Sequence, residues 1–458
     1  MATVLPVYPR TRRGAELVLV LLALAISTGA WAVVGLTADG ALPPNMLVHA
    51  GVLGGLAVGL HLVLRWRAKY ADPVLLPVAT LLNGLGLVMI HRLDGATSGA
   101  AQAPRQFVWS ALGVLAAAAV LVLVRDHRVL RRYTFTAMVA GLVLLLLPLL
   151  PVLGREINGA RIWVGIGPLS FQPGEIAKIV LAVFFAGYLV VHRDALSLTG
   201  PKLLFLRLPR ARDLGPILLA WLASVGVLVL QRDLGTSLLF FGLFVAVLYV
   251  ATERVSWIVL GLGLFAAGAV FAASAFSHVQ QRVDIWLHPF DPDNTDRSYQ
   301  LVQGLYGMAN GGLTGTGLDR GRPDIVPFAN SDFIYSSFGE ELGLVGLFAV
   351  LLLYAVLVQR GLRSAIGVRD GFGKLLAAGL SFSVALQVFV VVGGVTRVIP
   401  LTGLTMPFLA AGGSSLVSNW IVVALLLRVS DLARRPAEEV RNGPEAGDTG
   451  VTQVVRLG

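Results

Sequence analysis

Cysteine is absent from the 458 residues, which excludes disulfides, thiolate metal sites and a cysteine nucleophile. Charge is scarce. Asp, Glu, Lys and Arg make up 14% of the chain, against roughly a quarter in soluble globular proteins, too few to cover a water-facing surface. A Walker A loop, a dinucleotide GxGxxG in a βαβ setting, an HExxH helix and a GxSxG elbow are all missing. The seven histidines, at 49, 61, 91, 127, 192, 278 and 288, are scattered, and singly each reads as a structural or solvated side chain.

What is present is apolar. Hydrophobic residues are 56% of the chain, and they fall in repeated runs of the length that crosses a bilayer. Twelve such segments can be marked, at 15–36, 46–64, 73–91, 107–124, 133–153, 174–192, 213–230, 235–252, 256–274, 341–358, 375–396 and 415–429. Only helices or closed barrels satisfy their backbone inside hydrocarbon, so the pattern predicts an all-α, polytopic membrane helix bundle of about 12 transmembrane helices. The 52 glycines suit close helix approach. The start, MATVLPVYPRTRRG before an apolar run, lacks a clear small-residue cleavage site and reads as leading into a retained first helix.

The net charge of +10 describes topology rather than a nucleic-acid partner. Of 36 Lys and Arg, 25 lie in the two tails and the even-numbered loops, and ten lie in the odd-numbered loops; Lys178 remains inside a helix. The positive-inside rule then puts both termini in the cytoplasm, with the odd loops facing outward. The longest outward stretch, Arg282 to Glu341, carries seven Asp and two Glu, nine of only 26 acids in the chain. Charge gathered in one loop of a membrane protein marks recognition or chemistry. A second unusual outward loop, 396–415, contains Pro400, Pro407, Gly412 and Gly413 and predicts a re-entrant or folded-back segment. The tail 434–458 is polar, rich in Pro, Glu and Gly, and reads as disordered.

Several constellations admit both a bland and a functional reading. Glu175 and Lys178, spaced i, i+3 after Pro173, share a helix face near the outer surface. They form either an intrahelical pair that neutralises two charges in lipid or part of a polar cavity for an anion. Asp233 is a helix cap or a site residue. The cluster Asp291, Asp293 and Asp296 is a solvated acidic turn or a reactive one; it lacks the ligand ladder of a calcium loop.

Taken together, NGARIWVGIGPLSFQPGEIAKI (158–179), QRDLGTS (231–237), the stretch from Asp291–Pro292 to Tyr299–Gln300, GGLTGTGL (311–318), SDFIYSSFGEELGLVG (331–346) and IPLTGLTMPFLAAGGSS (399–415) resemble the SEDS family of RodA/FtsW-like peptidoglycan polymerases, the elongation branch above all. The likeness covers roughly residues 72–430. It departs from the family pattern at Gly174, Arg232, Thr316 and Asn330–Ser331, where the family has Ser, Pro, Lys and His–Thr. The resemblance implies a ten-helix core at 72–433 with an extracytoplasmic loop at 275–340, and at 1–71 an N-terminal tail with two additional helices. It implies glycan transfer between lipid II molecules on the outer face of the cytoplasmic membrane, with undecaprenyl pyrophosphate leaving, in cell-wall elongation and cell shape. Asp291 is then the general base, with Asp293 in reserve. Lys178, Arg161 and Arg397 face the pyrophosphate, Glu175 orients Lys178, and Trp163 packs on lipid or sugar. Asp233, Asp332, Ser414 and Ser415 complete the matched substrate motifs. The resemblance makes no cofactor certain: the carboxylate is the base, or it holds a divalent cation, Mg²⁺ or Mn²⁺. The implied partners are lipid II, membrane lipid and a class B penicillin-binding protein transpeptidase, with no nucleic acid. The competing reading is a transporter that flips the lipid-linked precursor without making a bond.

Overall fold

The structure, a computed structural model, describes residues 11–96, 101–157, 160–166, 169–197, 202–203, 206–207 and 211–436. The chain forms fourteen α-helices among these residues: α1 (Arg13–Ala38), α2 (Met46–Arg67), α3 (Leu75–Ala96), α4 (Ala103–Leu123), α5 (Thr134–Leu146), α6 (Pro173–Ser197), α7 (Ala211–Leu230), α8 (Leu234–Thr252), α9 (Val255–Ala275), α10 (Ser277–Leu287), α11 (Thr295–Gly311), α12 (Ile334–Gly367), α13 (Gly371–Val395) and α14 (Gly413–Arg434). Eleven spans among the described residues are long and apolar enough to cross a membrane, α5 together with its flanking 3₁₀ turns making one of them. The twelfth expected segment, 213–230, folds as the 20-residue α7. The expected membrane bundle is therefore what the chain forms.

Helices differ sharply in how much they bury. Of its most apolar window, α3 buries 83% and α9 only 6%, so α3 stands at the centre, with α6, α13 and α14, and α9 at the rim. At α3, Gly86 explains one close approach: a Cβ there would stand 2.6 Å from the carbonyl oxygens of Phe408 and Leu409.

Buried charge closes one end of the bundle. Glu16 pairs with Arg13 and, at 2.7 Å, with the His61 Nδ1, while Arg13 also donates to the Ala71 carbonyl. The Tyr70 amide donates to Asp431 at 2.8 Å, and Arg428 donates to the Arg67 carbonyl at 2.9 Å. The start of α1 and the end of α14 thus lie at the same end, as an even number of crossings requires.

The structure departs from the sequence expectation in two places. Within 275–340 the chain is mostly helical rather than loop, through α10, α11 and short 3₁₀ turns. In α11, Ser298, Leu301, Gly304 and Gly311 are buried along one face, the i, i+3 stripe of a surface helix. A search for uniformly apolar windows does not detect such a helix. Gly304 lies under the Phe333 ring, and Gly311 meets the Gly339 carbonyl, so α11 packs closely on α12. The second departure is a three-stranded antiparallel sheet, β1 (Gly154–Ile157), β2 (Ala160–Ile166) and β3 (Leu169–Phe171), inside an otherwise helical chain. Its register sets Arg155 opposite Trp163 and Val164 opposite Phe171. The strands are short and follow the 3₁₀ turn that ends the fifth span, where β-branched and aromatic residues in ARIWVGI favour pleated backbone. A two-stranded hairpin, β4 (Lys202–Leu203) and β5 (Leu206–Arg207), lies between α6 and α7.

The folded-back expectation for 396–415 holds. From Thr396 to Gly412 the backbone is non-helical, yet Leu404, Met406, Phe408 and Leu409 are buried. Irregular backbone inside a bundle requires partners for its polar groups, and neighbouring helices supply them. Gln387 donates to the Thr405 carbonyl at 2.9 Å, Gln106 to Ala410 at 3.1 Å, and Tyr354 to Pro407.

Candidate functional site

At the end of the bundle opposite the termini, α6 begins at Pro173 and carries Glu175 in its first turn. Lys178 Nζ lies 3.0 Å from Glu175 Oε2 and 3.0 Å from Gln387 Oε1, and both charged groups are buried. Gln387 then passes to the Thr405 carbonyl, so the Glu175–Lys178 pair is tied through α13 to the folded-back segment. The same turn is fastened to α14. Ser414 Oγ accepts from the Gln172 amide at 2.8 Å, and Ser418 Oγ donates to the Glu175 carbonyl at 2.8 Å. Ser415 accepts from the Asn419 amide through its carbonyl at 2.8 Å and its hydroxyl at 3.2 Å.

Asp233 caps α8, accepting from the Thr236 amide at 2.9 Å. It is more than a cap. Burial pushes its carboxyl up and the Thr236 hydrogen bond pulls it down, while the fields of Glu175 and Arg282 act in opposite directions. Arg282, on α10, is itself pushed down by burial and held up by Asp233 and Asp332. Its Nη1 donates to the Leu401 carbonyl at 2.9 Å. Burial raises Asp332 to about 6, against the pull of Arg282 and a hydrogen bond from Ser331. Gly403, at φ +78, passes between the two: a Cβ there would stand 3.8 Å from the Asp332 carboxylate and 3.9 Å from the Arg282 guanidinium. Four segments distant in sequence therefore converge as carboxylates and cations, Glu175 with Lys178 and Asp233 with Arg282 and Asp332.

Asp291 and Asp293 are exposed, at the 3₁₀ turn Pro292–Asn294 that follows α10. The turn is held from beneath: buried Asn294 donates to the His288 carbonyl at 3.1 Å, and Ser298 to Pro289 at 2.6 Å. Neither carboxylate has a hydrogen bond or ion pair among the described residues, which leaves both open to an incoming group. Arg397, at φ +62, has another engagement. Its guanidinium donates to the Trp286 and Leu287 carbonyls at 2.8 and 3.0 Å, and the Trp286 indole returns a bond to the Arg397 carbonyl at 3.1 Å. Arg397 thus clamps the end of α10 and aims the Asp291 turn. Arg161 is exposed on β2, 2.9 Å from Glu156, with Trp163 half-buried two residues on. Among the described residues no group of three or more His, Asp or Glu side chains gathers as a metal site.

Arg282 and Gln387 are the residues that motif reading overlooks. Gln387 is a lone amide in the apolar run LSFSVALQVFV, and an uncompensated polar group at membrane depth is itself the signal. Arg282 opens the acidic stretch but carries no motif.

These features define a polytopic helical membrane protein that gathers paired charge at one end of its bundle, beneath a turn bearing free carboxylates. The chain belongs to the family FTSW_RODA_SPOVE, described as Cell cycle protein, which matches residues 73–435. It is 51% identical over 433 residues to the peptidoglycan glycosyltransferase RodA of Mycobacterium tuberculosis H37Rv, across 93% of this chain and 92% of that one. The RodA of Mycobacterium leprae is 46% identical over 443 residues, covering 95% and 94% of the two chains. Among solved structures, a chain from a peptidoglycan synthase complex that coordinates polymerization and crosslinking superposes with a TM-score of 0.64, at 30% identity, over 79% of this chain and 97% of its own.

Proposed function

We propose that this chain is a RodA-type peptidoglycan glycosyltransferase that polymerises lipid II on the outer face of the cytoplasmic membrane, working with a class B penicillin-binding protein. The observation that carries the reading is the free Asp291 carboxylate on a braced turn, at the end of α10, whose other residues tie it to the buried cationic cluster. In the transfer, the acceptor sugar's 4-hydroxyl oxygen bonds to the donor's anomeric carbon. Asp291 takes the hydroxyl proton. The bond from the anomeric carbon to the pyrophosphate oxygen breaks, and undecaprenyl pyrophosphate leaves with the electron pair. Lys178 and Arg282 supply positive field for that developing charge in a site largely shielded from water, and Arg161 stands exposed at its edge.

The sidedness rests on the 25-to-10 charge asymmetry and the shared end of the termini. In this cysteine-free chain, Thr295→Cys is expected to react with an impermeant thiol reagent added to whole cells, and Arg369→Cys only after lysis. Labelling in the reverse order would put the acidic turn inside and remove lipid II's outer-leaflet sugar from reach.

A pH dependence follows from Asp332. As pH falls through about 6 its carboxylate takes up a proton, and Arg282 loses one of its two counter-charges. Polymerisation is expected to decline over that window. Asp332→Asn should flatten this acid limb at a lower plateau; an unchanged limb would assign it to another group.

A further inference from the structure

A cavity of about 350 Å³ opens where β2 meets the α7–α8 turn, lined by Leu149, Glu156, Arg161, Leu230, Gln231 and Arg232. That volume falls within the roughly 300–1,000 Å³ of small-molecule sites. Four of its six lining residues are polar or charged, set against Leu149 and Leu230, and its shape is set by backbone. The buried Gln231 amide donates to the Leu145 carbonyl, and the Gln231 carbonyl accepts the Arg161 N–H at 3.3 Å. Arg232 follows at φ +60. A non-glycine residue adopts that conformation only at a cost, and such strain concentrates at functional sites.

The charge balance of the cavity favours an anion. It holds two guanidinium groups and one carboxylate. Glu156 engages Arg161 at 2.9 Å, whereas the Arg232 side chain has no hydrogen bond or ion pair among the described residues. The positive field reaches beyond the cavity. His278, pushed down first by burial, is pushed down further by Arg232 and Arg282. Lys178 is in the opposite situation, buried and already engaged by Glu175 and Gln387. The exposed cations at the α7–α8 turn are Arg161 and Arg232. Guanidinium forks match phosphate oxygens two at a time. Leu149 and Leu230, the last residue of α7, form the cavity's apolar wall.

We propose that this cavity binds the diphosphate of a lipid-linked glycan, with Arg232 as a ligand and Arg161 exchanging Glu156 for a phosphate oxygen. The inference deepens the polymerase reading by assigning a diphosphate subsite, and it uses a residue at which this sequence departs from its family's pattern. The site takes lipid-borne diphosphate rather than a general anionic headgroup, because two forks converge on one cavity.

The test is binding, independent of turnover. Purified full-length protein in detergent micelles is titrated with undecaprenyl diphosphate and, separately, with phosphatidylglycerol, and bound lipid is read by native mass spectrometry. Arg232→Gln is expected to raise the Kd for undecaprenyl diphosphate roughly tenfold, the loss of about one charge-assisted bond. The double variant Arg161→Gln with Arg232→Gln is expected to lose more, and Arg232→Lys less than Arg232→Gln. Phosphatidylglycerol binding is expected to be unchanged throughout. Equal weakening of both lipids would overturn the diphosphate assignment, and unchanged undecaprenyl diphosphate binding would overturn the site. A protein that shows the predicted binding pattern but polymerises no glycan would leave this subsite standing while sinking the polymerase reading. Matched melting temperatures of the variants establish that each compared protein is folded.

Discussion

Asp291→Asn is expected to yield a folded protein whose glycan polymerisation falls by roughly 10²- to 10⁴-fold, the range of a lost general base. The amide keeps the size and hydrogen-bonding shape of the side chain and removes only its ability to take the acceptor's proton. Folding should be insensitive to the change, because the carboxylate is exposed and the turn is braced instead by Asn294 and Ser298. Asp293→Asn is expected to be milder and Asp296→Asn milder still. With Asp291 acting as the base rather than as a metal ligand, activity is expected to survive thorough chelation. Loss of activity in Asp293→Asn with normal activity in Asp291→Asn would move the base two residues along the turn.

The second large effect is expected at Lys178. Lys178→Met leaves the Glu175 carboxylate buried without its cation, and stranding one partner of a buried pair costs roughly 3–5 kcal/mol. A steep loss of thermal stability should therefore accompany loss of activity. The neutral double variant Glu175→Gln with Lys178→Met separates the two effects. It is expected to regain most of the stability, because neither charge then remains alone in the interior. Turnover is expected to stay low, with kcat reduced more than KM, because the positive field on the leaving diphosphate is gone. A double variant that regained full activity would make the pair purely structural.

The sequence made the membrane bundle legible because hydrocarbon demands a long apolar run for each crossing, and the marked segments correspond one to one with long helices. Glu175 and Lys178 were legible as a pair because i, i+3 spacing admits little else. Asp233 was legible as a cap, but its electrostatic coupling to Glu175 and Arg282 was not, since that depends on where α8 and α10 sit relative to α6. Amphipathic α10 and α11 escaped because their buried faces pack on protein rather than lipid. Arg397 illustrates the opposite limit. Its outward motif pointed to a ligand, and its guanidinium also donates to the last carbonyls of α10, a contact between residues 110 apart that no local pattern encodes.

The most direct test of the account is polymerisation of lipid II by the purified full-length protein, alone and with its transpeptidase partner, resolved as glycan strands on a gel. The prediction is a ladder of strands from the unaltered chain with its partner, and none above background from Asp291→Asn under the same conditions. Absence of strands from the unaltered chain, together with movement of lipid II across the bilayer of vesicles that contain it, would contradict the polymerase and establish a transporter in its place.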